Sequence, residues 1–462
     1  MKRLITTILA SLLVGFAYAE VLVYPSQTVG PIKPMNGVNN GPAGPVGNTY
    51  SPRNVYALFR AARIPYARTH DSSFSAHYGG EHTVDITAIF PDFSKKADDP
   101  SAYDFDFTDW YLNRIRMVGT EPFFRLGQKI EHGIKKYGIL PPKDYRKWAE
   151  ICEHIIRHYN EGWNKGFHWN LQYWEIWNEP DLESENWREN PLTWGGPEEE
   201  FFKLYTITAK HLKKCFPQYK IGGPALCSDK EWADRFLTYI AKEKVPLDFF
   251  SWHGYGNDPK EYAALAVRYK GIVEKHGYIG IETMLDEWNY VRSWTDRTYS
   301  YKQMRTQKGA AFCAATMSAC QDSPVDMLMY YDARIDTPWN ALFDDISYAA
   351  LPPYYAFYGW GRLMDYGTQV KASTDENDLY ATAATDGQGN TAIYIARYTE
   401  DDNVSLAKTV KVHVDGQPDG RAWSHFVDSS HLYTEMPLEV KNGVVEVDLE
   451  PNALVVIELR DK

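Results

Sequence analysis

A chain of 462 residues is long enough for two or three domains, although one barrel domain can take about 250 residues by itself. An apolar share of 44% and a charged share of 24% are ordinary for a globular protein. A net charge of −12 argues against a nucleic-acid binder, which would carry an excess of basic residues.

The N-terminus reads as a processing signal. Lys2 and Arg3 precede an apolar stretch, Leu4 to Phe16, and Ala17-Tyr18-Ala19 fits a small-x-small cleavage site. The apolar run is short of the ~20 residues that a membrane span needs. The expectation is a signal peptide over 1–19, a mature protein starting near Glu20, export to the periplasm or medium, and no membrane anchor. The five cysteines, Cys152, Cys215, Cys227, Cys313 and Cys320, leave at least one free thiol. Cys152 and Cys313 lie in apolar, helix-like stretches and read as core thiols, and Cys215 and Cys227 could pair. No C-x-x-C or H-E-x-x-H is present and the histidines are scattered, so no metal site is expected.

Glu20 to Val29 reads as an apolar strand. Met35 to Gly41 reads as a strand running into a polar loop. Ser51-Pro52 then opens a helix over Arg53–Arg63, with Ser as cap and Pro at the first helical position. Strand two is Tyr66–Asp71. The long stretch from Ser72 to Asp106 has few helix signals and, following a strand, is expected to shape a substrate site. A helix over Asp109–Val118, strand three over Glu121–Leu126 and a helix over Lys143–Gly162 follow. Strand four, Leu171–Ile176, runs into Trp177-Asn178-Glu179-Pro180, where Pro180 has no N–H to continue a ladder. Neighbouring side chains on a strand point to opposite faces, so Asn178 and Glu179 share a pocket only if the strand twists or ends there.

The alternation continues with a helix over Pro197–Phe216, strand five (Lys220–Pro224), a helix over Lys230–Lys244, strand six (Asp248–Tyr255) and a helix over Pro259–His276. Strand seven, Ile279–Leu285, ends in Asp286-Glu287-Trp288-Asn289, a second carboxylate beside an aromatic. A helix over Ser300–Cys320, strand eight (Val325–Asp332) and a last helix over Tyr354–Asp365 complete the set. Alternating strand and helix units argue for an α/β fold of the (β/α)8 TIM-barrel type over residues 30–365. A doubly wound open sheet is the rival, and no G-x-G-x-x-G follows strand one. After Gly367 come short β-rich runs split by Gly, Asp and Asn, which read as a β-sandwich.

Two glutamates at the ends of two strands of one sheet suit glycoside hydrolysis, where one carboxyl protonates the leaving oxygen and the other attacks the anomeric carbon or activates water. At "WNEP" on strand four and "DEWN" on strand seven the chain resembles the retaining glycosidases of clan A. Over residues 30–360 its pattern is similar to glycoside hydrolase family 39, which includes β-xylosidases and α-L-iduronidases. The resemblance implies that Glu179 is the acid/base and Glu287 the nucleophile, with carboxyls about 5–5.5 Å apart as in retaining enzymes. It implies that Asn178 meets the sugar 2-hydroxyl, and it places the sandwich in residues 20–29 plus 366–462. Asp286 could be confused with the nucleophile; alternation would put only one of the two into the pocket, and the family pattern selects Glu287. Glu175 lies inside its strand and is set aside.

Arg68 would hold the nucleophile ionised. His253 and Tyr255, two apart on strand six, would orient the acid and bond the nucleophile. His70, Asp71, Trp288, Tyr330, Trp294 and Trp339 are candidate sugar contacts. The partner expected is a carbohydrate, with no nucleic acid and no cofactor. A catalytically inactive carbohydrate-binding barrel, an inverting hydrolase and a transglycosylase using the same residues are the alternatives.

Overall fold

The computed structural model describes residues 18–44, 54–71, 82–227, 229–335 and 337–460. The signal-like stretch up to residue 17 and the capping pair Ser51-Pro52 lie outside them, as does the first part, 72–81, of the long loop after strand two. β1 (Ala19–Pro31) comes first. Eight strands then close into a parallel barrel: β2 (Gly37–Asn39), β3 (Tyr66–Arg68), β4 (Glu121–Leu126), β5 (Tyr173–Ile176), β6 (Lys220–Leu226), β7 (Phe249–Gly256), β8 (Glu282–Tyr290) and β9 (Met327–Tyr330). Pairing of β2 with β9 shuts the ring, at Gly37 to Met329 and Val38 to Tyr330. The expected (β/α)8 class is therefore what the chain adopts.

Helices cover the outside of the barrel, and each begins where the side-chain chemistry allows. Asp144 accepts from the backbone N–H groups of Arg146 and Lys147 to open Tyr145–Glu161, and Gly162 ends it in the left-handed region at φ 75°. The stretch expected as one helix over Ser300–Cys320 is two, Arg297–Gln303 and Gln307–Gln321. Thr306 restarts the chain by accepting from the Lys308 N–H, a cap that a continuous helix would have no use for. The loop after strand two contains a short helix, Ile86–Ile89, and a 3-10 turn, Pro100–Ala102, where few helix signals were expected.

The remaining strands are β10 (Thr368–Ser373), β11 (Leu379–Thr385), β12 (Thr391–Arg397), β13 (Lys408–Val414), β14 (Gly420–Val427), β15 (Leu432–Val440), β16 (Val444–Leu449) and β17 (Ala453–Leu459). With β1 they form one sheet in the order β15-β14-β17-β12-β11-β10-β1-β13-β16, folded over its own apolar core. β1 runs antiparallel to β10 and parallel to β13, so the N-terminal strand stitches the accessory domain to the start of the barrel. The other face of this sheet shares a core with the barrel. Ala384, Tyr394, Leu454 and Val456 pack with the helices Gln307–Gln321 and Pro352–Tyr366. Gly359 permits this approach: a Cβ there would lie 2.9 Å from the Tyr394 ring and 3.0 Å from Val456 Cγ2.

Candidate active site

Within the barrel, side chains alternate between the ring of helices and the interior. Trp174 and Ile176 face the helices, while Tyr173 and Glu175 face inward. An apolar layer of Tyr66, Phe123, Tyr173, Phe249, Met284, Met327 and Met329 plugs the lower barrel. Two residues further along the same strands the interior becomes polar, with Arg68, Arg125, Glu175, Ser251 and Asp286, all fully buried.

Alternation then breaks in two places, and both breaks build the site. On β5 the chain turns left-handed at Trp177 (φ 77°) and again at Glu179 (φ 46°). Trp177 packs outward against Trp148, Trp194 and Phe201. Asn178 and Glu179 are thereby both available to the barrel mouth. On β8 the ladder skips a residue: Trp252 pairs with Leu285 but His253 pairs with Glu287. This bulge at Asp286 puts two consecutive carboxylates on the inner face. The expectation that only one of Asp286 and Glu287 enters is thus corrected. Glu175 is likewise part of the polar cluster beneath the site, not a bystander within its strand.

Arg68 sits at the centre. Its Nε donates to Glu175 Oε2 at 2.6 Å, its Nη1 to Glu287 Oε1 at 2.8 Å and to Asn39 Oδ1 at 3.1 Å, and its Nη2 to Asn178 Oδ1 at 2.6 Å. Surrounding carboxylates hold its charge firmly against the cost of burial. Glu287 takes a second bond, from the Tyr255 hydroxyl to Oε2 at 2.8 Å. Burial, with Glu179 nearby, outweighs the pull of His253, Arg68 and the Tyr255 bond and leaves the Glu287 pKa raised. Glu179 touches one donor-capable ring nitrogen, His253 Nδ1 at 2.7 Å from Oε1. Burial raises its pKa to about 7, so near neutrality it carries a proton much of the time. An oxygen of Glu179, an oxygen of Glu287 and a ring nitrogen of His253 all lie within 4.8 Å of one another.

The remaining expected residues divide. His70 and Asp71 reach the mouth: His70 Nε2 lies 3.8 Å from Glu287 Oε1 and 3.7 Å from Asp71 Oδ1. Asp71 also accepts from the Tyr331 hydroxyl and faces Arg334 at 3.7 Å and His82 at 3.6 Å. Burial raises the Asp71 pKa, but these neighbours outweigh it and hold the carboxylate ionised. The rings of Tyr255, Trp294 and Trp339 approach one another at 5.5–5.9 Å, and Trp294 is exposed, so they form an aromatic rim.

Trp288 and Tyr330 are elsewhere. Both are fully buried among Tyr262, Phe312 and Phe357, between barrel and helices. The bulge that turns Asp286 and Glu287 inward turns Trp288 outward. Tyr331, one residue on, faces the mouth instead, with its ring 6.3 Å from His70. Tyr331, Arg334, His82 and Asn39 were not anticipated. The polar run Tyr331 to Arg334, directly after the last strand, is the signal that could have pointed to the first two.

None of the five cysteines is in a disulfide, so Cys215 and Cys227 are not bonded to each other. Cys227 instead turns its thiol toward Glu179. Away from the mouth, Glu153, His211 and Cys215 gather between two helices. Arg157 takes one oxygen of Glu153 and His211 the other, which makes the group a hydrogen-bonded link between the helices.

A family model described as glycosyl hydrolases family 39 matches residues 75–296, a span that contains both glutamates. A beta-xylosidase of Geobacillus stearothermophilus is 32% identical over 164 residues, which is 33% of this chain and 31% of that protein. A beta-xylosidase of Caldicellulosiruptor saccharolyticus is also 32% identical, over 34% of this chain and 32% of its own. The matches thus span about a third of the length of these relatives. In fold, a solved glucosidase from Croceicoccus marinus superposes with a TM-score of 0.77 at 22% identity, covering 96% of this chain and 100% of that one. A family 39 enzyme from Xanthomonas axonopodis pv. citri gives 0.71 at 16% identity, over 96% and 98%.

Proposed function

For a chain of the glycoside hydrolase family 39 kind, we propose the activity of a retaining glycosidase that cleaves O-glycosidic bonds of oligo- or polysaccharides. The observation that carries the reading is the pairing of Glu179 and Glu287 across the barrel mouth in unlike environments, with oxygens within 4.8 Å of each other. That spacing suits direct attack by one carboxylate; inverting enzymes hold their carboxyls roughly 6.5–9.5 Å apart to admit a water.

Each role follows from what the carboxyl touches. Glu287, aimed by the bonds from Arg68 and Tyr255, which favour its anion against the cost of burial, attacks the anomeric carbon. Among the described residues no cation is bonded to Glu179, and burial lifts its pKa to about 7, so it can protonate the departing glycosidic oxygen. The covalent glycosyl-enzyme is then opened by water, with Glu179, now an anion, taking the proton. Asn178 presents a side-chain N–H2 that has no partner among the described residues and suits a sugar hydroxyl. His70, Asp71 and the Tyr255, Trp294 and Trp339 rings would hold the sugar and its neighbour. No step calls for a cofactor.

The relatives named beta-xylosidase make β-xylosides the first substrates to test. Hydrolysis of an aryl β-xyloside followed by proton NMR reads the reaction directly: the first-formed xylose should be the β-anomer. An α-anomer as first product would replace the double displacement with inversion. Export belongs to the same proposal, on the strength of Lys2, Arg3 and the apolar run to Phe16. N-terminal sequencing of the protein recovered from the medium or periplasm should start at Glu20; a start at Met1 would overturn it.

A further inference from the structure

The segment that carries Trp294 is tied to the accessory sandwich at both of its ends. It runs from the end of β8 at Tyr290 to the helix Arg297–Gln303. The barrel anchors its start: the Val291 N–H donates to the Gly256 carbonyl at 2.8 Å, and the Arg292 N–H to Ser300 Oγ at 2.9 Å. Beyond Arg292 the segment bonds to itself, with Ser293 Oγ accepting from the N–H groups of Thr295 and Asp296 at 3.3 Å. Local bonds of that kind shape a turn without fixing where it points. Trp294 lies within this turn, 56% exposed, and its ring meets those of Tyr255 and Trp339 at 5.5 and 5.9 Å.

Glu400 and Asp402 belong to the sandwich, between β12 and β13, and grip the barrel on either side of that turn. Before the turn, Tyr290 donates its hydroxyl to Glu400, 3.0 Å from either oxygen. Arg292 Nη1 donates to Asp402 Oδ2 at 3.3 Å, and its Nε lies 3.2 Å from Glu400 Oε1. After the turn, the Tyr299 hydroxyl donates to Asp402 Oδ2 at 2.6 Å. The Arg292 guanidinium lies over the Tyr299 ring at 4.4 Å, so the two ends of the segment also close on each other. Lys308, on the helix Gln307–Gln321, is buried among these groups. It donates to Asp402 Oδ1 at 2.8 Å, to the Glu400 carbonyl at 2.9 Å and to the Tyr299 oxygen at 3.0 Å, which uses all three hydrogens of the ammonium. Burial works against that charge, and Asp402, Tyr299 and Glu400 outweigh it. A single surface ion pair would contribute little; a network closed around a buried cation fixes geometry.

We propose that Glu400 and Asp402 are positioning residues of the sandwich that hold the segment 291–296 so that Trp294 stands at the mouth as a platform for the sugar next to the one being released. A flat indole offers an apolar face to the C–H face of a sugar ring. Trp294 is exposed where Tyr255 and Trp339 are half-buried, and Tyr255 bonds Glu287, so Trp294 is the ring farthest from the cleaved bond. The sandwich thereby takes part in substrate binding although neither of its carboxylates touches substrate. The inference rests on the glycosidase reading of the mouth and names the part of the chain that sets its outer edge.

The test uses the full chain, with xylobiose as the two-sugar probe and methyl β-xyloside as the one-sugar probe. Trp294→Ala should raise KM for xylobiose roughly 2–10-fold with little change in kcat, the range expected of one aromatic contact. Asp402→Ala should raise KM in the same way by about 2–5-fold, and by less on methyl β-xyloside. In the Trp294→Ala background Asp402→Ala should add nothing, because it acts through that ring. Equal costs in the two backgrounds, an equal rise on the two probes, or a loss in kcat alone would make Asp402 a docking contact between the domains and overturn the inference. Glu400→Gln keeps the size of the side chain and provides a milder second variant, with a KM rise in the same direction. Hydrogen exchange at the Val291 and Arg292 amides reads the segment with no substrate present. It should quicken in Asp402→Ala and in Glu400→Gln while exchange in β4 and β5 holds. Unaltered exchange in both variants overturns the inference. An unmodified protein that leaves both probes intact overturns the β-xyloside reading instead, and the exchange result then decides whether the sandwich holds the segment.

Discussion

The lower and upper halves of the barrel interior are built from the same strands, two residues apart, yet they follow opposite rules. Tyr173 and Glu175, Phe249 and Ser251, Met284 and Asp286 are successive inward residues on β5, β7 and β8. The lower member of each pair joins an apolar layer in which Phe123 stacks on Tyr173 with ring centroids 5.3 Å apart. The upper member joins a cluster of three carboxyls around Arg68. Strand regularity persists through the lower layer and fails above it, at Trp177, at Glu179 and at the Asp286 bulge. Regular alternation delivers one inward side chain every second residue; a site that needs Asn178 beside Glu179 and Asp286 beside Glu287 has to break it. The polar layer is costly to bury, and the apolar plug below it is what holds the strands in place while it is buried.

Substitutions in the two halves should therefore separate activity from stability. The largest effect is expected for Glu287→Ala, which removes the proposed nucleophile and should bring turnover of every substrate to background; appreciable activity on any glycoside would reassign the role. Glu179→Ala comes next, with a loss of roughly 10²–10⁴ on unactivated substrates. An aryl glycoside with an acidic phenol should still form the intermediate, giving a burst, and azide should restore turnover as a glycosyl azide of unchanged anomeric configuration. In the unmodified protein kcat/KM should fall as pH rises through about 7, because the acid must hold its proton. A basic limb that stays put in Glu179→Gln, measured on an activated substrate, would locate that ionisation elsewhere.

In the lower half, Met284→Ala should cost about 2–5 kcal/mol of stability, read by denaturant titration, while leaving the pH profile of the folded protein in place. A moved pH optimum would show that the two layers are not separable. The smallest effect is expected for Tyr255→Phe, which removes one hydrogen bond to a carboxylate worth about 1.5–3 kcal/mol. Losing a donor disfavours the Glu287 anion, so the acidic limb of kcat/KM should move to higher pH. An acidic limb that moves down would mean that Tyr255 bonds something other than the ionised nucleophile.

Much of this protein was legible as sequence because the barrel repeats one pattern. An apolar strand followed by an amphipathic helix announces itself by period, so β4 is found at Glu121–Leu126, where the pattern places it, and short strands follow Gly367 as the β-rich runs suggested. Glu179 and Glu287 stood out because each carboxylate closes an apolar strand beside a tryptophan. Arg68, His253 and Tyr255 lay at strand ends where a barrel gathers its chemistry. What sequence could not give was parity. A single extra residue in a ladder reverses which side chains face inward, and nothing in Leu285-Asp286-Glu287-Trp288 marks the bulge. Tertiary pairing of β8 with β7 decided it, bringing Glu287 in beside Asp286 and sending Trp288 to the helical core. Protonation was equally beyond the sequence. Asp286, Glu175 and Glu287 are three carboxyls of similar intrinsic acidity, and only their tertiary placement, with one guanidinium among them, holds Glu175 down while burial pushes Asp286 up.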